Sequence, residues 1–313
     1  PPNRLVFYTL LIILPHAPLI IKFTPIRKED HLEMQGKRVL ITGATSGIGK
    51  QTALKLAGKG AQIILVSRRV EKCQRVKSEI AQQTGSQQVD FLVADLSSLD
   101  QIRATAAEIT STYRQLDVLI NNAGALFWER QESADGIEMT LALNHLNYFY
   151  LTLLLLDLLK ASAAARIINV SSDAHRGQQL DFDDLQHEES YRPFRAYGES
   201  KLANLYFTYE LDRKIAGTGT TVNAVHPGFV ATNFAIEGSL AARLFMPLVH
   251  LFALSPSEGA ETPVYLASSP GVEGISGKYF HRKTPVRSSP VSYDREAAKK
   301  LWQRSRELTG LSD

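Results

Sequence analysis

The sequence predicts one doubly wound parallel α/β sheet with helices on both faces, running from about residue 37 to residue 313. Three observations lead there. Short apolar runs recur from Lys37 onward: RVLIT, QIILVS, VDFLVADL, LDVLINNAG, ARIINVSS and TVNAVHPG. Continuous runs of this kind suit strands buried on both faces. Longer stretches of helical period separate them, and such alternation belongs to parallel βαβ units. The first run also ends in three closely spaced glycines where a helix begins. Six strands follow from this pattern, with a seventh near residues 277–280. No internal repeat, low-complexity tract or inter-domain linker interrupts it.

Composition agrees and narrows the function. The chain has 313 residues, 44% hydrophobic, with 35 basic against 32 acidic side chains and a net charge of +3. That balance is too slight to argue for nucleic acid. One cysteine, Cys73, permits no internal disulfide and no cysteine-rich metal site, in keeping with a reducing compartment.

Residues 1–36 differ from the rest. Leu5 to Ile21 is apolar, and a polar stretch follows to Gly36. As a helix the run would span about 26 Å at ~1.5 Å per residue, slightly short of a ~30 Å hydrocarbon core. Pro15 and Pro18 interrupt it. One reading is a membrane anchor whose flanking Lys22, Arg27 and Lys28 leave the rest of the chain facing the cytoplasm. The other is an upstream extension ahead of Met34. Either expectation puts the domain in contact with the cytoplasm.

The first strand, Arg38 to Thr42, runs into Gly43-Ala44-Thr45-Ser46-Gly47-Ile48-Gly49, with a helix from about Lys50. A tight turn needs permissive dihedrals, and a pyrophosphate needs close backbone approach. The helix start offers it free N–H groups and partial positive charge. The absence of a Gly-Lys-Ser/Thr ending argues against a triphosphate loop. The second strand ends Val66-Ser67-Arg68-Arg69, where a chain selecting NAD would carry an acidic residue. A guanidinium grips a 2′-phosphate instead, so NADP(H) is expected with Arg68 as the main contact. Asp95, followed by Leu96 after the third strand, reads either as a contact near the adenine or as a plain helix cap.

Tyr197 and Lys201 are four apart, so on a helix they stack one turn apart on one face. A free tyrosine has a pKa of about 10 and is a poor proton shuttle at neutral pH. A neighbouring ammonium favours the phenolate, so Tyr197 can give a proton to a carbonyl oxygen or take one from an alcohol. Ser172, ending a strand, can hydrogen-bond the same oxygen.

Seven motifs now stand in order: TGATSGIG (42–49), ADL (94–96), NNAG (121–124), NHLNYF (144–149), NVSS (169–172), YGESK (197–201) and HPG (226–228). Over residues 37–313 the chain resembles the short-chain dehydrogenase/reductase family, with its Rossmann-type fold. Through DGIEMTLALNHL, the long Ser172-to-Tyr197 stretch and SKLANLYFTYEL, it is most similar there to retinol-dehydrogenase-like NADP-dependent reductases. The resemblance implies that Lys201 holds the nicotinamide ribose, that Asn144 joins a proton relay, and that Asn122, Ala123 and Gly124 lie beside the cofactor. It also implies cofactor contacts at Pro227, Gly228, Val230 and Thr232, and commonly a homo-oligomer.

The segment 234–254 is apolar nearly all round, with one Arg and one Glu. It suits a lid over a small hydrophobic substrate, an intersubunit surface or a core helix. The expected activity is NADP(H)-dependent interconversion of an apolar carbonyl and its alcohol, retinal-like or another lipid aldehyde or ketone. The alternatives are reduction of a ring double bond in a pigment precursor and a non-catalytic NADP(H)-binding sensor or scaffold. No metal site is expected. His145, His175 and His226 match no usual ligand spacing, and Asp181, Asp183 and Asp184 read as a solvated acidic loop.

Overall fold

The computed structural model describes residues 9–14, 17–22, 33–229 and 254–311. Within the leader, β1 (Thr9–Leu14) and β2 (Ala17–Lys22) pair antiparallel, Thr9 opposite Lys22 and Leu14 opposite Ala17. The described parts of the run weighed as a membrane helix are thus strands; Pro15 and Pro18 are poor helix-interior residues. No helix among the described residues is long and apolar enough to cross a membrane.

The remaining eight strands form one sheet: β3 (Arg38–Thr42), β4 (Gln62–Ser67), β5 (Val89–Val93), β6 (Val118–Asn121), β7 (Arg166–Val170), β8 (Thr221–His226), β9 (Lys278–His281) and β10 (Thr284–Val286). Their spatial order is β10-β9-β8-β7-β6-β3-β4-β5. All neighbours run parallel except β9 and β10, an antiparallel hairpin. The seventh expected strand is β9. The eighth, β10, escaped notice because it is three exposed residues, Thr-Pro-Val, with no apolar run. Arg282 and Lys283 between them take positive φ, +48° and +63°, which reverses the chain in two residues and sets the register.

Both faces of the sheet are covered, as continuous apolar runs require. Along β3 the side chains alternate: Val39 and Ile41 join Ile63 and Leu65 in a core on one face. Leu40 joins Ile64, Val66 and Leu119 in a core on the other. The first face packs beneath α1 (Gly47–Gly58) and α2 (Val70–Thr84), the second beneath α3 (Leu99–Thr112) and the helices Asn147–Leu154 and Pro193–Lys214. Cys73, Val76 and Ile80 form the inward stripe of α2, so the single cysteine is a core residue.

The chain proceeds from β3 outward to β5, then returns to lay β6 on the other side of β3. That reversal opens a crevice at the carboxyl ends of β3 and β6, where open α/β sheets bind ligands. The domain also begins slightly earlier than residue 37. Met34 is 3% exposed, sits in the core with Val39 and donates its N–H to Lys59 O at 3.0 Å.

Candidate active site

The glycine turn sits at the crevice. Gly43 and Gly47 have φ of +64° and +52°, conformations that favour glycine. A β-carbon on Gly49 would stand 2.5 Å from both Gly43 O and Asn122 Nδ2. Helix α1 begins at Gly47, three residues before the expected start. Its N-cap, Ser46, makes no side-chain cap, which leaves the first N–H groups of Ile48 and Gly49 open to an anion. Thr45 Oγ1 lies 2.7 Å from Ser67 Oγ, fastening the turn to the end of β4. Arg68 follows, exposed and with no ion pair among the described residues. Across the crevice Asn122 Nδ2 donates to Thr42 O (2.9 Å) and Gly43 O (3.3 Å), while the N–H groups of Asn122 and Ala123 donate to Thr42 Oγ1. Asn122 therefore staples the turn.

Asp95 and Leu96 divide differently from expectation. Ser98, not Asp95, caps α3 by accepting from Gln101 N. Asp95 Oδ1 instead accepts from Ser97 N and Ser97 Oγ, closing a turn at the sheet edge. Leu96 is 4% exposed and packs its side chain with Leu40 and Ile64 in the core.

The second half of the crevice holds the titratable groups. Ser172 follows β7 and caps the short turn Asp173–His175, accepting from Ala174 N at 3.2 Å. Its hydroxyl is hydrogen-bonded to the Tyr197 phenol. Lys201, one turn further along the helix Pro193–Lys214, is 3% exposed and donates Nζ–H to Val170 O at 3.1 Å. The same ammonium lies 5.4 Å from the Tyr197 ring centre and 5.6 Å from that of Tyr148. Ser172, Tyr197 and Lys201 are brought together as the sequence predicts.

Their electrostatics depart from the sequence argument. Burial pulls Lys201 down from 10.5 to about 7. Burial also pushes Tyr197 well above 10, and the Ser172 hydrogen bond only partly opposes it. Proximity of an ammonium was expected to favour the phenolate. Removal from water acts on both groups and outweighs it.

Asn144 lies in a π-helical turn, Ala142–Leu146. Its Oδ1 accepts from Ala125 N, and its Nδ2 donates to Ala125 O and to Ser200 Oγ, all at 2.9–3.1 Å. Ser200 Oγ in turn donates to Tyr197 O at 2.7 Å. Both amide hydrogens are committed, so the side chain ties the NNAG loop to the tyrosine helix. A relay through Asn144 would have to use its backbone. Gly124 fits between, since a β-carbon there would meet Asn144 Oδ1 at 3.1 Å and Lys201 Nζ at 3.5 Å. Glu138 starts this region by accepting from Thr140 N and Leu141 N at 2.7 Å each.

Pro227 and Gly228 follow β8, and a β-carbon on Gly228 would strike Leu254. Val230, Thr232 and the apolar segment up to residue 253 lie outside the described residues. The three histidines named earlier do not converge. His145 is buried against Ser305 Oγ at 2.9 Å. His175 is fixed by Ser172 O at Nδ1 (2.6 Å) and Ser289 N at Nε2 (3.0 Å), so it braces the Ser172 turn. His226 meets Asp173 and His281, the latter 55 positions away and missed by any local spacing rule. In the acidic loop Asp181 Oδ1 accepts from Asp183 N and Asp184 N, and Asp184 accepts from Glu188 N and Glu189 N.

A hydroxyl, a phenol and a buried amine converging at the carboxyl edge of a parallel sheet are the working parts of an oxidoreductase. The chain belongs to the short chain dehydrogenase family, whose pattern matches residues 37–241. It is 44% identical to human retinol dehydrogenase 13 over 282 residues, 88% of this chain and 85% of that protein. Human retinol dehydrogenase 11 is 40% identical over 315 residues, with 98% of each chain covered. Among solved structures, an uncharacterized protein from Mycobacterium paratuberculosis superposes with a TM-score of 0.72 at 33% identity, covering 89% of this chain and 95% of that one. A short chain dehydrogenase from Escherichia coli CFT073, complexed with NADPH, gives 0.64 at 25% identity, covering 81% and 98%.

Proposed function

We propose that the chain transfers hydride between NADP(H) and an apolar carbonyl or alcohol, with Tyr197 as the acid and base. The observation that carries this reading is the Ser172–Tyr197–Lys201 corner, its lysine buried, set beside a glycine cradle that ends in Arg68, which has no ion pair among the described residues. The cradle fits a dinucleotide: open N–H groups at the start of α1 suit a pyrophosphate, and Arg68 suits a 2′-phosphate. The NADPH complex of the Escherichia coli relative supports that choice.

NADP(H), when bound, supplies or accepts the hydride. Tyr197 gives its phenolic proton to the carbonyl oxygen in reduction and takes it back in oxidation. Ser172 donates a hydrogen bond to the same oxygen and so stabilises charge developing there. Lys201, with its pKa near 7, can restore the tyrosine proton at neutral pH, because either protonation state is within easy reach. Val170 O holds its ammonium in place meanwhile.

The substrate class rests on the mouth of the site. Phe194 lies three residues before Tyr197 on the same helix face and is 67% exposed. Its ring packs edge-on against Trp128 at 5.7 Å. An exposed Phe194 within a turn of the proton donor, backed by the half-buried Trp128, favours an apolar substrate, in keeping with relatives named retinol dehydrogenases. The test is NADPH oxidation, followed at 340 nm, with all-trans-retinal and a panel of straight-chain aldehydes. Turnover that rises with chain length is expected. NADPH binding without oxidation of any of them would refute the catalytic reading.

A further inference from the structure

Outside the hydride-transfer corner, three potential metal-binding side chains meet at the carboxyl ends of adjacent strands. Asp173 follows β7, His226 ends β8 and His281 ends β9. One ligand atom from each lies within 4.8 Å of the others. Their meeting is dictated by register: His226 and His281 are direct partners in the parallel pairing of β8 with β9, so both side chains leave the sheet on the same side. The two rings stand 4.9 Å apart at 69°. His226 Nε2 lies 3.7 Å from Asp173 Oδ2. The other carboxylate oxygen, Oδ1, accepts from Tyr279 Oη at 3.0 Å and from Arg176 Nε at 3.1 Å. Those two donors orient the carboxylate and leave Oδ2 toward the imidazoles, the way outer groups aim metal ligands. Beside the histidines a cavity of about 280 Å³, lined also by Glu258 and Thr262, has room for water.

We propose that Asp173, His226 and His281 form a binding site for a divalent transition-metal cation of the zinc type, and that its occupancy acts on Ser172. Two imidazoles and one carboxylate suit zinc rather than calcium or magnesium, with water from the cavity in the fourth position. Zinc–ligand bonds of about 2.0–2.2 Å require the three atoms to draw closer together. Asp173 has a 41% exposed side chain and can rotate inward.

The coupling follows from the imidazole's hydrogens. Asp173 N–H points at His226 Nδ1 across 3.4 Å, so the neutral ring carries its proton on Nε2, facing Asp173 Oδ2. A cation bound at Nε2 takes that lone pair, and the ring's one proton then resides on Nδ1. There it faces the Asp173 N–H, and two donors oppose each other. The Ser172–Asp173 peptide must shift, and Ser172 is the residue that holds the tyrosine phenol. Bound metal should therefore slow hydride transfer without displacing the cofactor.

The binding claim stands apart from the assigned reaction and is tested apart from it. The metal-free full chain is titrated with zinc chloride by calorimetry at neutral pH, with magnesium chloride as a control. One zinc per chain is expected, weakened at least ~10-fold by His281→Ala and by His281→Gln, with no response to magnesium. NADPH binding by each variant, read from cofactor fluorescence, confirms that it is folded. No saturable zinc binding, or equal binding by both variants, would overturn the site. For the coupling, zinc should inhibit turnover of the wild type and not of His281→Ala, whose turnover in EDTA matches wild type. Equal inhibition of both would overturn the link to Ser172.

Discussion

The two halves of the crevice are built from opposite materials. On the β3–β4 side the cradle is made of absent side chains and backbone hydrogen bonds: Gly43, Gly47 and Gly49, stapled by Asn122 and Thr42. On the β7–β8 side it is made of titratable groups taken out of water, with Tyr197, Lys201, His175 and His226 all moved from their ordinary pKa values chiefly by burial. The first half should be sensitive to bulk and indifferent to proton chemistry, the second the reverse. Substitutions can break that division.

The largest effect is expected at the phenol. Tyr197→Phe keeps the ring and removes the proton, so turnover should fall by roughly 10²–10⁴-fold. NADPH affinity should stay within a factor of three. Single-turnover kinetics and a fluorescence titration separate the two quantities. A variant that lost cofactor binding as well would show the halves to be one unit.

Gly49→Ala is the converse. Its β-carbon would approach the Gly43 carbonyl to 2.5 Å, and backbone yields little. NADPH affinity should drop by about one to two orders of magnitude, as the anion-facing N–H groups lose alignment. At saturating NADPH the turnover that remains should keep the wild-type pH profile. A changed profile would mean that the cradle helps set the protonation of the distant corner.

Arg68→Asp probes the edge of the cradle by charge and not bulk. The side chain is exposed and its charge is screened, so the effect should be smaller. On the proposed role of Arg68, the change would remove an attraction to a 2′-phosphate and add a repulsion. The NADP(H)/NAD(H) ratio of kcat/KM should move toward NAD(H) by about tenfold or more. An unchanged ratio would leave cofactor choice to other residues.

How much of this was legible beforehand follows the same division. The parallel strands were readable because strands buried on both faces leave continuous apolar runs. The glycine turn was readable because the positive φ at Gly43 and Gly47 favours glycine, which then marks the turn in the sequence. The π-helical turn around Asn144 was not, since the extra residue in that turn changes no residue preference and only repositions a side chain. Nor was the protonation balance at Tyr197 and Lys201: spacing reports that they are neighbours, while their pKa values depend on how much water is excluded. His281 was invisible for a third reason, because its partner in space is set by the register of β8 with β9. Of the two readings of Asp95, the helix cap does not hold, since a serine three residues on takes the helix end.

The smallest effect concerns stability and follows from the sign of the Lys201 shift. A folded pKa of about 7 lies below the unfolded value near 10.5, so burial of this amine opposes folding whenever the unfolded chain holds its proton. Below pH 7 both states are protonated and the whole penalty is present. Between about pH 7 and pH 10.5 the unfolded state binds more protons than the folded one, and stability rises with pH through that window. Tyr197 acts oppositely but only above pH 10, where its raised pKa leaves the folded state the more protonated. Lys201→Met removes the first contribution and leaves the second. Denaturant unfolding of the protein at pH 7.0, 8.0 and 9.5, without added cofactor, should therefore give a smaller rise in midpoint for Lys201→Met than for wild type, and the variant should be the more stable of the two at pH 7.0. Parallel curves would mean that water reaches Lys201, and the contrast between a bulk-sensitive cradle and a water-excluded corner would fail at its central residue.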